Sequence, residues 1–362
     1  MKQKVGLLFG GNSSEHQVSL QSVKSVYEAI DKDKYDVFLI AIEKEGNWFL
    51  CDNIETCLLN TNEPNMIKLS NTGKRIAIIP GEKRSPFLKL PNASPIEKVD
   101  VLFPLVHGGL GEDGSMQGLL RFVNIPFVGP SVLASAVCMD KDFTKRLLRD
   151  AGLRVAHSLT FTRETKNTIH FREVKAKLDT PLFIKPANQG SSVGISKAET
   201  AEEFYQGIEN AFSYSNKIIV EEAIAGREIE CALLGNEQPI ASIPGEIANK
   251  QSFYSYEAKY INEDGVQLII PADLDKDTTG RIQKEAIKAF KALQCEGMAR
   301  VDFFMTPDQK LIINEINTLP GFTKLSMFPK LWEASGLSYP ELINTLIHLA
   351  LERQKNNETL KS

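Results

Sequence analysis

The sequence predicts an α/β protein that becomes α+β in its second half: a doubly wound N-terminal domain followed by a part built on antiparallel sheets. Three observations carry this. From Val5 to Phe122, apolar runs of strand length alternate with Gly-containing turns and helix-period segments, the rhythm of a sheet covered by helices. After Gly129-Pro130 the rhythm changes, and short strands follow one another with fewer helices between them. Near the end, Gly297–Phe304 and Ile313–Gly321 read as the two strands of a hairpin with a turn at Thr306-Pro-Asp-Gln-Lys310.

The elements follow in order. Val5-Gly-Leu-Leu-Phe9 is a buried strand, and Gly10–His16 is a turn into a helix marked by Val18, Val23, Val26, Tyr27 and Ile30. Tyr35–Ile42 is the next strand. Residues 52–95 are polar and irregular, with room for a peripheral hairpin. Val99–Val106 is a strand, followed by a Gly-rich loop and a helix through Leu119–Phe122. Lys141–Ala151 is helical, with Gly152 as its stop. Strands are expected at Ser158–Thr162, Leu182–Pro186, Val193–Ser196 and Ile218–Glu222, with a helix over Ala201–Phe212. A turn-rich segment, Lys250–Gly265, precedes a helix over Thr278–Leu293 and the hairpin. Tyr339–Leu351 is an amphipathic helix with Pro340 in its first turn.

Composition narrows the classes. The 362 residues are enough for two or three domains with substantial cores. A net charge of −4 implies no general attraction to nucleic acid. No run resembles a spanning helix, which argues against a membrane protein and for a cytoplasmic one. The five cysteines (Cys51, Cys57, Cys138, Cys231 and Cys295) are scattered, which favours reduced thiols over a disulfide framework or a zinc site.

Five segments carry chemistry. If the hairpin is centred between Asp308 and Gln309, Asp302 faces Glu315 and Arg300 faces Asn317. All four then share one face, and Val301, Phe303 and Ile316 share the other. Two acids and an amide make an oxygen-rich site suited to Mg²⁺, and the Arg adds a place for an anion. A charge-paired, solvated sheet face fits the same residues. His107-Gly-Gly-Leu-Gly-Glu-Asp-Gly114 contains G-x-G-x-x-G after a strand, the outline of a dinucleotide loop and hence of a dehydrogenase. Glu112 and Asp113 would repel a pyrophosphate there, and the next acid is as far away as Asp140. The loop reads either as a structural turn or as a substrate loop with His107 and Glu112 facing a small polar ligand.

Phe183–Gly194 delivers Lys185 on a strand and then a Gly190-Ser-Ser-Val-Gly194 turn. That pattern suits phosphate oxygens as well as an ordinary polar hairpin, and no P-loop motif occurs. Ile219–Glu228 ends a strand with acids and an apolar pair. Glu221 and Glu228 suit a ribose and adenine in an apolar slot at Ile224, or simply solvation. Phe253–Tyr260, aromatic with Lys259 at its end, suits a lid that excludes water or a strand with an aromatic core face.

Taken in order, these segments resemble the D-alanine–D-alanine ligase family of the ATP-grasp superfamily over essentially the whole chain. His107-Gly-x-x-Gly-Glu-Asp-Gly-x-Met-Gln-Gly and Arg300-Val-Asp … Asn314-Glu-Ile-Asn-Thr-x-Pro-Gly321 are similar to its two signatures. The resemblance implies a pre-ATP-grasp domain over 1–130, a central ATP-grasp subdomain over 131–222 and a C-terminal one over 223–362. It implies ATP as co-substrate, two Mg²⁺ (or Mn²⁺), D-alanine as substrate, an acyl-phosphate mechanism and a homodimer.

Residue by residue, it implies Asp302, Glu315 and Asn317 as metal ligands, and Lys141, Lys185 and Ser192 around the phosphates. Glu221, Glu222, Ile224 and Glu228 would form the adenosine pocket. Arg300 and the Gly321 N–H would form the oxyanion hole. Glu15 would take the first ammonium, and Lys259 and Ser326 the second carboxylate. Glu15, Ser191 and Tyr260 would form a hydrogen-bonded triad. Tyr260 favours an amine nucleophile over the hydroxyl of a depsipeptide ligase, and the intact polar set disfavours a non-catalytic ATP-binding protein. Leu325 and Glu222 depart from frequent family choices, and 52–95 suggests a longer N-terminal domain.

Overall fold

In the computed structural model, which describes residues 2–70, 73–82, 85–249 and 266–360, three large sheets organise the chain. The first is seven-stranded. Gln3–Gly10 lies at its parallel heart between Tyr35–Ile42 and Val101–Pro104. The apolar run of the first strand is buried from Val5 to Gly10, as expected of a strand covered on both faces. Helix His16–Ala29 packs on one side of it.

The polar segment after Asp52 is more regular than its composition suggests. Trp48–Cys51, Lys74–Ile78, Phe87–Lys89 and Ser94–Pro95 extend the sheet in antiparallel steps. They are short strands that end at the edge strand Ser94–Pro95, and only part of each contributes buried apolar side chains. The cysteine expectation needs correcting as well. Cys51 and Cys57 form a disulfide around the short helix Ile54–Cys57, which folds the chain back over six residues. Cys138, Cys231 and Cys295 are buried thiols.

The second sheet has the order Ser158–Thr162, Lys217–Glu222, Leu182–Pro186, Ser196–Ala198, all antiparallel. The last of these begins at Ser196 instead of Val193, because Gly190–Gly194 remains a turn. Helices Phe171–Leu178 and Ala201–Tyr214 cover one face, and Leu182, Ile184, Ile218 and Val220 close a core of its own with Phe204 and Phe212. The longer helix begins with a capping box at Thr200 and Glu203.

The third sheet centres on Arg227–Gly235, flanked by Gly245–Asn249 and by the predicted hairpin, Gly297–Met305 with Leu311–Asn317. The hairpin pairs Arg300 with Asn317 and Asp302 with Glu315, as the sequence predicts, but a bulge then shifts the register so that Phe303 faces Ile313. The extra residue, Asn314, reverses the in–out parity of its strand. Leu311, Ile313 and Ile316 can therefore all enter the core while Glu315 and Asn317 face the other way. Helix Lys276–Ala292 covers the apolar face. Met327–Ala334 and Tyr339–Glu358 fill the opposite side and share one core with the first sheet.

Candidate active site

The face of the second sheet opposite its core carries Phe183 and Lys185 on one strand and Ile219 and Glu221 on its neighbour. Lys185 lies diagonal to Glu221, within reach of a long side chain. Its Nζ is 2.9 Å from Glu221 Oε2. The other oxygen, Oε1, is 3.2 Å from Lys145 Nζ. Burial alone would raise the Glu221 carboxyl, but the Lys145 and Lys185 charges outweigh it and pull it down to about 2.

Lys145 and Lys141 both come from helix Lys141–Asp150, four residues and about one turn apart on one face. Asp140 caps this helix by accepting from the Asp142 and Phe143 N–H groups, each at 3.1 Å. Lys217 on the second sheet holds the cap at 2.5 Å from Asp140. Lys141 donates to the Gln189 carbonyl at 2.6 Å and lies 3.9 Å from Glu315 of the hairpin. The helix thus bridges the two sheets.

On the third sheet, Arg300 grips Asp302 through two hydrogen bonds of 2.7 and 2.8 Å, and its Nε is 2.9 Å from Glu230. Burial works against its charge, but the two carboxylates more than offset that and raise its pKa further. Asn317 Oδ1 is buried and has no hydrogen-bond donor among the described residues. An acceptor oxygen left in that state beside Glu315 and Asp302 is open to a cation or a water as its partner. The set of hard oxygens fits Mg²⁺ or Mn²⁺ by chemistry. Among the described residues no group of three His, Cys, Asp or Glu is placed to hold a metal ion.

The Gly-rich loop after Val101–Pro104 brings the first sheet into the site. His107 is 3 % exposed. Its Nδ1 is 3.1 Å from the Leu319 carbonyl and its Nε2 3.1 Å from Ser22 Oγ. The arrangement suits a neutral ring that donates from Nδ1 and accepts at Nε2. Burial lowers its pKa, Glu15 partly opposing. His107 is thus a cross-link between the first sheet and the loop that ends in Gly321, with both nitrogens taken by protein atoms. Glu112 Oε1 lies 3.9 Å from the ring. Burial first, and then the charge of Glu15, push the Glu112 carboxyl up to about 8.

Glu15, at the start of helix His16–Ala29, is buried. A Cβ at Gly108, whose φ is +70°, would fall 2.5 Å from Glu15 Oε2, so only glycine lets that carboxylate approach the loop. A cavity of about 360 Å³ separates Asn12–Glu15 and Gly108–Leu110 from Asn188–Gly190 and Val193. Ser191 and Ser192 both adopt positive φ, 51° and 59°, in the turn above it.

The remaining predicted residues divide. Gly321 and Ser326 meet in one loop, where a Cβ on Gly321 would be 3.1 Å from Ser326 Oγ and where that oxygen accepts from the Thr323 N–H at 3.1 Å. Ile224 is half-buried in the connection between the second and third sheets, and Glu228 is the second residue of the strand Arg227–Gly235. Glu222 spends one oxygen on the His157 N–H at 2.7 Å, which fastens two strand ends together. Lys259 and Tyr260 lie outside the described residues. Sequence reading missed Lys145 and Glu230. The signals were present: Lys145 is four residues from Lys141 on a helix, and Glu230 is two from Glu228 on a strand.

Known proteins fit this arrangement over its full length. A family model described as D-ala D-ala ligase N-terminus matches residues 4–130, and one described as D-ala D-ala ligase C-terminus matches 147–348. The chain belongs to the D-alanine–D-alanine ligase family. It is 57% identical to the D-alanine–D-alanine ligase of Oceanobacillus iheyensis, over 100% of this chain and 99% of that one. It is 52% identical to D-alanine–D-alanine ligase A of Escherichia coli, over 100% and 99% of the two chains. Among solved structures, the D-alanine–D-alanine ligase from Coxiella burnetii superposes with a TM-score of 0.85 at 39% identity, covering 99% of this chain and 96% of the other. The VanG D-Ala:D-Ser ligase from Enterococcus faecalis gives 0.86 at 38%, covering 97% and 100%. The family's ATP-grasp fold accounts for the two antiparallel sheets that face the site.

Proposed function

We infer that the protein joins two D-alanine molecules into D-alanyl-D-alanine at the expense of ATP, releasing ADP and phosphate, as a step in building peptidoglycan precursors. The observation that carries this reading is the meeting of two charged surfaces. Ammonium groups of Lys141 and Lys185 face the oxygen-rich hairpin of Asp302, Glu315 and Asn317, with Lys141 3.9 Å from Glu315. Full-length relatives that bear the ligase name support it.

The chemistry explains the residue types. A carboxylate is a poor electrophile, so the first D-alanine is activated: its oxygen bonds to the γ-phosphorus of ATP and the bond to ADP breaks. Two anions must meet, and Lys141 and Lys185 offset that repulsion, with Ser192 and its turn over the phosphates. Bound at Asp302, Glu315 and Asn317, Mg²⁺ or Mn²⁺ would supply Lewis-acid polarisation of the phosphates. Glu15 holds the first ammonium, and His107 and Glu112 shape the loop beside it. The second amine then attacks the acyl carbon, loses a proton, and phosphate departs. Arg300 and the Gly321 N–H face the oxyanion of that step. Ser326 and Lys259 hold the second carboxylate, Glu221, Glu222, Ile224 and Glu228 line the adenosine pocket, and Glu15, Ser191 and Tyr260 join the N-terminal loop to the lid.

Phosphate release from ATP is the test, run with D-alanine, L-alanine, D-lactate and D-serine. Turnover that needs both D-alanine and a divalent ion is expected. Turnover with L-alanine, or none with D-alanine, would sink the reading, and preference for D-lactate as nucleophile would move it to a depsipeptide ligase. Homodimerisation, which the family resemblance implies, is checked by sedimentation. No described helix is long and apolar enough to cross a membrane. A cytoplasmic location, where ATP is available, accords with this chemistry.

A further inference from the structure

Lys145 has no part in the roles above, yet it is among the largest fully buried side chains of the protein. Its Nζ makes no well-aligned hydrogen bond among the described residues, and its counter-charge is Glu221 Oε1 at 3.2 Å. A buried ammonium held by one ion pair is costly, so its place in the fold needs a reason. Glu221 supplies one. This carboxylate, itself 3 % exposed, holds two ammonium groups, one on each oxygen. The two lysines differ in access: the Lys145 side chain is 2% exposed and that of Lys185 12%. Lys185 lies on the strand that runs into the Gly190–Gly194 turn beside the cavity, whereas Lys145 sits inside a helix whose cap is tied to the sheet by Lys217. Only one of the pair can move toward an arriving anion.

We propose that Lys145 is a positioning residue: it stays on Glu221 as a permanent counter-ion, which lets Lys185 leave that carboxylate for a phosphate of the bound nucleotide. With Lys145 present, transfer of Lys185 exchanges one ion pair for another and strands no buried charge. With Lys145 removed, every such transfer leaves Glu221 buried and alone, so the nucleotide competes with Glu221 for the one ammonium group. The proposal rests on the nucleotide reading of this site and adds a residue that reading does not use.

A double-mutant cycle tests it with ADP binding by calorimetry and steady-state kinetics. Lys145→Met is expected to weaken ADP and raise the KM for ATP by about tenfold or more, with kcat at saturating ATP within about threefold of the parent. Lys145→Arg should recover most of the loss, because it keeps the charge. In the Glu221→Gln background, Lys145→Met should have little further effect, since no carboxylate remains to be stranded. This double variant also removes charge and counter-charge together, so it serves if Lys145→Met alone does not fold. An equal loss in both backgrounds would overturn the proposal, and so would no loss in either or a parallel fall in kcat and every binding constant. Failure of the parent protein to bind ADP would instead overturn the nucleotide reading itself.

Discussion

The second and third sheets face the same site, but they are held in different ways. The third is buried on both faces. Ala232, Leu234 and Met298 enter the core shared with the first sheet, and Ile229, Val301 and Phe303 enter the core under helix Lys276–Ala292. The second has an apolar core on one face only, and the fully buried members of that core all come from residues 169–220. The acids and Arg300 therefore sit on a template fixed from both sides, while Lys185 and Glu221 sit on a unit that carries its own stability. The lesson concerns placement: the acids and Arg300 lie on the sheet with an apolar core on both faces, and Lys185 and Glu221 lie on the one with its own separate core.

This contrast can be broken by experiment. The largest effect is expected from Glu315→Gln, which should cost about 10³-fold in kcat, the scale of losing several kcal/mol of metal and phosphate stabilisation. Its thermal unfolding should match the parent. The matched change on the other sheet, Lys185→Met, should appear mainly in the KM for ATP. If both variants fell in kcat alone, the division of labour would fail.

Core truncations come next. Ile313→Ala and Ile184→Ala should each cost about 2–5 kcal/mol. Hydrogen exchange should show the first loosening the whole C-terminal part and the second loosening only residues 158–222. Equal spreading in both variants would mean that the two sheets form one cooperative unit.

Two carboxylates at the site, Glu221 on the second sheet and Glu112 in the loop after the first, add a pH dependence. Glu221 is depressed from its ordinary 4.5 to about 2, so its contribution is present above 4.5 and is lost as pH falls toward 2. Glu112 is raised from 4.5 to about 8, so the fold keeps its proton and loses stability as pH rises between those values. Glu221→Gln should flatten the acid limb of the stability profile by up to about 3 kcal/mol, and Glu112→Gln the limb above pH 4.5. Urea titrations across pH would reveal either limb unchanged. The smallest effect is expected from Lys217→Ala, which opens a partly exposed ion pair with Asp140 and should cost no more than about 1 kcal/mol.

Much of this was legible in advance, for physical reasons. Period-2 and period-3.6 patterns mark elements that bury one face, so most strands and helices were readable, as was the Arg300–Asn317 and Asp302–Glu315 pairing. The bulge at Asn314 was not, because an extra residue leaves composition unchanged and shows only in parity: Ile313 and Ile316 are both buried three residues apart. Within 52–95 the sequence showed room for a peripheral hairpin, which Lys74–Ile78 and Phe87–Lys89 form, but the separate strands were not readable, since half-exposed strands carry little apolar signal. Glu221 was readable as an acid at a strand end. Its two ammonium partners come from positions 145 and 185, and no local pattern connects them.

The helix Tyr339–Glu358 has a consequence for the order in which a ribosome delivers this chain. Leu342, Ile343, Leu346 and Ile347 complete a core whose other side is Val5, Leu7 and Phe9, and Arg353 donates to the Phe127 and Gly129 carbonyls. Helix His16–Ala29 covers part of that face early, but residues made first wait for residues made near the end before the core is complete. During synthesis the uncovered remainder is apolar surface, a site for chaperone capture or self-association. Nascent chains stalled before Tyr339 should therefore be sensitive to protease across the first sheet, and chains released beyond Glu358 should be resistant.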